Sequence, residues 1–340
     1  TLSKECLEQV EWSCCQATCA STRLLRVPGE PNQRRKSVSE SLPLLIFHVF
    51  HVDSLTYVRI SCCCFPFRFE SFTIEVDLLR TCPDHWFFSN MGDFQDRYPH
   101  RAFNQAACGA GILVLQRVLT AYALRNKEIG YVQGMNYLAA FLLLVTGDEV
   151  ETFWLFATLL EDMFPGYFGQ RLTGFQLDSK ILLDQLAKSM PTMCAALARE
   201  NIPIDFVVPK WYLCLYFNTF HPYQVAKIWD ALFFNVKNAK VTIMQVALGI
   251  MAMKQPSVQQ ASASGDIAAL SATIQDTQDC CDNFDEIVQA ANGRYSMITP
   301  ELLQHWRKSK EHVLVREREL RKLRLQQRNK KESSPKRKAQ

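Results

Sequence analysis

Apolar side chains recur at helical spacing along most of the chain from about residue 74. Ile112, Leu115 and Leu119 follow one another at three- and four-residue steps with polar residues between them, which places them on one face of a helix. Residues 137–145 are almost all apolar and suit a buried helix. No later stretch alternates apolar and polar residues as a half-buried strand does. The pattern therefore predicts an all-α body of about a dozen helices around one core.

Several residues predict where these helices begin and end. Asp148 and Asp178 each precede an apolar-periodic segment, as N-cap residues do. Pro222 suits the first position of a further helix, where the missing N–H would have no partner anyway. Residues 241–253 have the composition of another apolar helix. Residues 259–273 are rich in Ala, Ser and Gln and hold no aromatic residue, so we expect a weakly packed connection there.

The charge is unevenly distributed along the 340 residues. Residues 307–340 hold fourteen Lys or Arg against four acids, a net charge of +10, whereas the whole chain carries only +4. The rest of the chain is therefore at −6, a mildly acidic body with a basic, helix-prone tail. A patch of this kind attracts anionic surfaces.

The cysteines cluster before the helical body. Seven of the 13 precede residue 65, and Cys62, Cys63 and Cys64 are consecutive. An odd number in a large, core-rich chain does not indicate a disulfide framework. Paired Cys-x-x-Cys steps with a downstream His-x-x-x-His are absent, so we expect free thiols in a reducing compartment rather than a zinc site.

The sequence lacks the signatures of several enzyme classes. It has no Gly-x-x-x-x-Gly-Lys-Ser/Thr phosphate loop, no Gly-x-Ser-x-Gly elbow and no His-Glu-x-x-His, and its seven histidines are scattered. No segment approaches the about 18–20 apolar residues that span a bilayer. This composition favours a protein that acts by binding, without a metal or cofactor of its own.

Two short segments carry the candidate chemistry. Residues 74–83 place Asp77 and Arg80 three positions apart, which also fits a surface ion pair contributing about 0.2–0.5 kcal/mol. Residues 129–137 contain Gln133 followed by a glycine, which also fits an ordinary turn. Spacing alone leaves both interpretations open.

Together the two segments resemble the signature pair of the TBC-domain GTPase-activating proteins that act on Rab GTPases. Ile-x-x-Asp-x-x-Arg occupies residues 74–80, and Tyr-x-Gln-Gly-Met-Asn occupies residues 131–136. The resemblance extends over residues 72–255 and includes further blocks in the same order. These blocks are residues 119–123, 136–140, 153–154, 161–167, 211–217 and 225–232.

The resemblance implies a single large, all-α, multi-helix TBC domain that accelerates GTP hydrolysis by a Rab GTPase. Arg80 would be the arginine finger and Gln133 a second, glutamine finger. Asp77, Tyr131 and Gly134 would support these residues or contact the partner. The GTP and Mg²⁺ would be carried by the GTPase, so this chain would need no cofactor or metal and would hydrolyse no nucleotide by itself.

Other residues at matching positions are predicted to pack rather than to react. They are Trp211, Trp229 and Asp230, together with Ile74 and the aromatic set Phe217, Phe220, Phe233 and Phe234.

We predict three regions: an irregular flank over residues 1–70, the TBC domain over residues 71–311 and a basic, partly disordered tail over residues 312–340. The flank departs from the family, because the Arg-x-x-x-Trp motif that usually opens the domain is absent. Residues 42–70 stand in its place. They have either diverged or come from a wrongly joined or normally untranslated segment.

The missing motif motivates a second hypothesis, a Rab-binding scaffold with little catalytic effect. The tail favours peripheral contact with anionic membranes over nucleic-acid binding, because it lacks interleaved aromatic residues. We therefore expect a cytoplasmic protein in vesicle trafficking, peripheral to endomembranes, with a Rab GTPase as its partner.

Overall fold

In this computed structural model the chain is described over residues 68–89, 109–169 and 171–333. That part is all-α, with thirteen α-helices and no strand, which confirms the predicted fold class. The predictions for residues 1–67, including the cysteine run, and for residues 334–340 lie outside the described residues.

The helices follow in this order: α1 Arg68–Leu78, α2 Ala110–Arg125, α3 Met135–Thr146, α4 Glu149–Thr158, α5 Thr173–Ser189, α6 Pro191–Arg199, α7 Val208–Tyr212, α8 Pro222–Phe234, α9 Ala239–Ser264, α10 Ile267–Gln275, α11 Gln278–Asp282, α12 Phe284–Asn292 and α13 Pro300–Ser333. A π-helical turn, Leu159–Met163, continues α4, and single 3₁₀ turns cover Ile204–Phe206 and Val236–Asn238.

Helix α9 is the central element of the carboxyl-terminal half. It packs against α5, α6, α8, α10 and α12, and Ile243, Ala247 and Ile250 on it are fully buried. Gly249 faces α12, where an added Cβ would lie 2.7 Å from the Ile287 carbonyl oxygen. Glycine is therefore what allows the two helices to approach so closely.

Two predicted helix starts are confirmed. The Asp148 side chain accepts hydrogen bonds from the backbone N–H groups of Val150 and Glu151, each at 2.8 Å. These bonds satisfy donors that have no partner within the helix. Pro222 is the first residue of α8, and the Gln224 side chain accepts a bond from the His221 N–H at 3.1 Å.

The prediction that Asp178 caps a helix is wrong. Asp178 lies inside α5 and is fully buried, and its carboxylate accepts hydrogen bonds from the Tyr167 hydroxyl and from Arg307 Nε. Burial raises the pKa of the Asp178 carboxyl, and the Arg307 guanidinium opposes that rise. The partners of this carboxylate are 11 and 129 residues away, so a local pattern does not reveal them.

The predicted weak connection over residues 259–273 is helical for most of its length, although Leu270 is its one buried residue. Helix α9 continues past Pro256 to Ser264, and α10 buries Leu270 and Ile274. Lys254, which is 0% exposed, donates its ammonium hydrogens to the carbonyl oxygens of Thr273 and Asp276, both at 2.8 Å. The buried lysine thus satisfies carbonyl groups at the end of α10 and fixes it to α9.

The packing predictions hold with one exception. Ile74, Trp211, Trp229, Phe217 and Phe220 are buried, Asp230 and Phe233 are half-buried, and Phe234 is 80% exposed. Phe234 lies two positions beyond the buried Leu232, which at about 100° per residue turns it to the opposite side of α8. The expectation that Phe234 belongs to the core is therefore wrong.

Helix α13 lies along α5 and is held there by polar contacts. Arg307 pairs with Asp178, Lys310 with Asp184, and Lys180 with Glu317. The helix runs without a break through residue 311. The boundary between the TBC domain and the basic tail at that residue stays a prediction. Among the described helices, none is long and apolar enough to cross a membrane.

We predict that Arg307→Met lowers the free energy of unfolding by about 3–5 kcal/mol, because it leaves the buried Asp178 carboxylate without its cation. Lys310→Met is the matched control on the same helix. Its partner Asp184 is 39% exposed, so the loss should be about 0–1 kcal/mol. Urea unfolding of both variants measures the difference. Equal losses would contradict the assignment of Arg307 as the buried anchor.

Candidate functional site

The two predicted finger residues lie at the ends of packed helices. Arg80 follows the last residue of α1 by two positions, and Gln133 precedes the first residue of α3 by two. Both residues are exposed, and 48% of the Arg80 side chain is accessible. Helices α1 and α3 pack against each other. The fold therefore brings together two segments that are 53 positions apart in the sequence.

Asp77 joins these segments. Its side chain is 2% exposed, and its carboxylate accepts one bond from the Arg80 guanidinium and another, at 2.6 Å, from the Tyr131 hydroxyl. A buried carboxylate needs such partners because its desolvation is otherwise costly. Asp77 thus contacts both Arg80 and Tyr131, and the supporting roles of Asp77 and Tyr131 stay a prediction.

Tyr131 remains a hydrogen-bond donor. Burial raises the pKa of its hydroxyl above the ordinary value, and the neighbouring Asp77 carboxylate raises it further. A phenol in this setting keeps its proton and continues to donate to Asp77. The bond crosses from the Gln133 segment to the last turn of α1.

Gly134 makes the sharp turn between Gln133 and α3. It is buried, with φ at 106°, a conformation that other residues rarely adopt. An added Cβ would lie 3.5 Å from the Leu213 carbonyl oxygen and 3.6 Å from Cys214 Sγ, which is ordinary contact. The backbone angle, more than the available space, is what favours glycine here.

Sequence reasoning missed two buried polar residues at this site, Thr81 and Asn136. Asn136 is 0% exposed and Thr81 is 1% exposed. The Asn136 amide donates to the Thr81 hydroxyl at 2.8 Å and accepts from the Gly134 N–H at 3.2 Å. Both residues belong to the two segments quoted above, but nothing in the local sequence shows that they bond to each other.

Two exposed apolar side chains beside Arg80 were also missed. Val76 is 45% exposed and Leu79 is 76% exposed, whereas Ile74 and Leu78 on the same helix are buried. Helical spacing provides the signal for Val76, which falls on the face opposite Ile74 and Leu78, whereas Leu79 directly follows the last residue of α1. An apolar surface next to a cation is a feature of protein-binding sites.

The floor of the site is aromatic and apolar. Tyr137 of α3 stacks on Phe217 with ring centroids 5.7 Å apart. Burial raises the pKa of the nearby Cys214 thiol to about 11 and that of Cys82 to about 12. These thiols stay protonated at neutral pH, and none of the cysteines in the described part of the chain is disulfide-bonded. Over the same residues no group of three or more His, Cys, Asp or Glu is arranged to hold a metal ion.

Known proteins resemble this chain in sequence and in fold. Residues 67–259 match the Rab-GTPase-TBC domain. Growth hormone-regulated TBC protein 1 of Xenopus tropicalis is 34% identical over 175 residues, which are 52% of this chain and 46% of that protein. A small G protein signaling modulator 3 homolog of Xenopus laevis is 31% identical over 195 residues, 57% of this chain and 23% of that protein.

A solved structure shares the fold. The Chlamydomonas flagellar RabGAP TBC domain superimposes with a TM-score of 0.53 at 23% identity, over 71% of this chain and 72% of that one. The chain spans about half the length or less of the curated relatives named here. The matched residues include α1, α3 and the segments that carry the predicted finger residues Arg80 and Gln133. The chain therefore belongs to the Rab-GTPase-TBC domain family.

Proposed function

We propose that this protein accelerates GTP hydrolysis by a Rab-family small GTPase and supplies Arg80 and Gln133 to the GTPase active site. The observation that carries the proposal is that one buried carboxylate joins the exposed Arg80 to the segment that carries the exposed Gln133. Asp77 bonds to Arg80 directly and to the Gln133 segment through Tyr131. The family match supports the choice of partner.

Arg80 would stabilise the transition state of phosphoryl transfer. Charge spreads over the γ-phosphoryl oxygens as the bond to the leaving group breaks, and an arginine supplied in trans accelerates the reaction by about 10³–10⁵-fold. That corresponds to about 4–7 kcal/mol. A guanidinium carries five N–H donors, and a single Arg80 nitrogen bonds to Asp77. The other donors can bridge phosphate oxygens while Asp77 still holds the side chain.

Gln133 would act on the attacking water. Its exposed amide can accept a hydrogen bond from the water and donate one in return, so it would orient the nucleophile in place of the GTPase's own glutamine. The partner would carry the GTP and Mg²⁺, and this chain would hydrolyse no nucleotide alone. The exposed Val76 and Leu79 would contact the GTPase beside Arg80.

We predict that Arg80→Ala reduces the acceleration of GTP hydrolysis at least about 10³-fold across a panel of GTP-loaded Rab proteins. Arg80→Lys should lose nearly as much because it lacks the planar fork, while its charge still pairs with Asp77. Arg199→Ala, which removes an exposed ion pair with Glu200, is the control and should keep the full rate.

Two results of that assay would contradict the mechanism. Full activity of Arg80→Ala would exclude the arginine finger. Failure of the unmodified chain to accelerate any Rab, combined with GTP-dependent binding to one, would instead select the scaffold hypothesis.

We further propose that the basic end of α13 contacts anionic membranes, which would place the protein at endomembranes in the cytoplasm, in vesicle trafficking. Arg318 still bonds to Gln176 on the body, whereas Arg321, Lys322 and Arg324 farther along are exposed. Each basic residue near such a surface contributes about 1 kcal/mol. Because the rest of the chain is acidic, we expect attraction to anionic membranes to act through this local basic segment and not through the net charge of the protein.

We predict that changing Arg321, Lys322 and Arg324 together to Gln weakens binding to phosphatidylserine vesicles about 100-fold, because about 3 kcal/mol of attraction is lost. The three positions are exposed, so the fold should be unaffected. Zwitterionic phosphatidylcholine vesicles, which carry no net charge, and Arg199→Gln serve as controls in the same sedimentation assay. Equal binding of the triple variant and the unmodified chain would rule out this membrane contact.

A further inference from the structure

Thr81 and Asn136 connect the two finger segments inside the protein. Thr81 is adjacent to Arg80, and Asn136 is the second residue of α3. Both side chains are buried, and the Asn136 Nδ2 lies 2.8 Å from the Thr81 Oγ1. This bond spans 55 positions in the sequence, so it ties the end of α1 directly to the start of α3.

The direction of each hydrogen bond is fixed by its partners. The Gly134 N–H can only donate, so the Asn136 atom 3.2 Å away must be the carbonyl Oδ1. Nδ2 therefore faces Thr81 and donates to its hydroxyl. That hydroxyl donates its own hydrogen to the Asp77 backbone carbonyl at 2.6 Å. Asn136 Nδ2 and Thr81 Oγ1 therefore each donate one of these hydrogen bonds, and Asn136 Oδ1 accepts one from the Gly134 N–H.

A second connection closes a ring. Tyr131 donates its one hydroxyl hydrogen to the Asp77 carboxylate at 2.6 Å, and the backbone of residues 131–136 joins Tyr131 to Asn136. We call Asp77, Thr81, Tyr131 and Asn136 the Asp77 ring. Tyr131 and Asn136 lie on either side of Gln133, so the segment that carries Gln133 is fastened at both ends to the residues beside Arg80.

We propose that Thr81 and Asn136 are positioning residues that set the placement of Arg80 relative to Gln133. This inference rests on the proposed function for its catalytic consequence and on the Asp77 ring for its geometry. Neither residue needs to contact the GTPase. Loss of the Thr81 hydroxyl would leave the Asn136 amide without an acceptor, and both segments would shift. A displacement of about 1 Å is enough to cost about 10²-fold in rate.

The chain offers a matched control for Thr81. Thr152 in α4 is also fully buried, and its hydroxyl also donates to a backbone carbonyl four residues earlier, that of Asp148, at 2.6 Å. It also has a side-chain partner at 2.8 Å, the Thr146 hydroxyl. Thr152→Val thus removes the same chemistry outside the Asp77 ring, whereas Thr81→Ser keeps the hydroxyl within it.

Hydrogen exchange on the full chain tests the geometry without any partner. Thr81→Val should raise exchange in residues 75–82 and 131–136 together, by about 10-fold or more, because the ring connects them. Thr81→Ser should restore the protection, and Thr152→Val should leave both segments unchanged. The proposal is overturned if residues 131–136 keep their original exchange rate in Thr81→Val.

Single-turnover GTP hydrolysis with the most responsive Rab tests the catalytic consequence. Thr81→Val should lower the maximal rate about 10²-fold, with little change in the concentration of this protein at which half the maximal rate is reached. Thr81→Ser should restore the rate. With Arg80→Ala and Gln133→Ala already in place, Thr81→Val should have no further effect. Equal losses in Thr81→Val and Thr152→Val would show a merely structural role and overturn the proposal.

The hydrogen-exchange and GTP-hydrolysis experiments together distinguish failure of this inference from failure of the proposed function. If the unmodified chain accelerates no Rab, the proposed function fails, and hydrogen exchange still decides whether the Asp77 ring couples the segments. If hydrolysis is accelerated but insensitive to Thr81→Val, the positioning role fails while the finger mechanism stands.

Discussion

The Asp77 carboxylate is a charge held almost wholly inside the protein. Such a charge is tolerated only when hydrogen-bond donors replace the water it has lost. Here the donors come from Arg80 on its own segment and from Tyr131 on a distant one. Satisfying this single buried group therefore requires the end of α1 and the approach to α3 to lie together, which is the arrangement that the candidate site needs.

The helical scaffold keeps that arrangement in place. Helix α3 is buried along eight of its twelve residues, from Met135 to Leu143, so its start cannot move without disturbing the core. Gly134 turns the chain into α3 above Leu213 and Cys214. Gln133 and Arg80 are exposed at this end of the two helices, beside the exposed Val76 and Leu79. A rigid support with exposed tips suits residues that must enter another protein's active site.

The parts of the fold that were predictable are those set by local periodicity and local chemistry. The helical class follows from apolar spacing, and the start of α4 at Asp148 follows from side-chain capping that involves neighbouring residues. Asp178 and Lys254 defeated local reasoning because their partners come from other helices. Phe234 defeated it because an aromatic residue on the outward side of a helix resembles a core residue in sequence.

The candidate site divides in the same way. The family resemblance predicted Arg80 and Gln133 as finger residues, with Asp77, Tyr131 and Gly134 as their neighbours. It gave no sign that Thr81 and Asn136 complete a ring, since a hydrogen bond between residues 55 positions apart leaves no trace in spacing. Burial of these small polar side chains is a tertiary property, and only the structure supplies it.

If Arg80 and Gln133 act as proposed, this protein binds the GTPase more tightly in the transition state of GTP hydrolysis than in the ground state. The affinity of the full chain for a Rab loaded with GDP and Mg²⁺ tests this directly when it is measured with and without aluminium fluoride, which mimics the transferring phosphoryl group. We predict a gain in affinity of about 10²-fold or more on adding aluminium fluoride, retained by Arg199→Ala, which removes an exposed ion pair with Glu200, and lost in Gln133→Ala. An affinity that fluoride leaves unchanged for every Rab tested would contradict it.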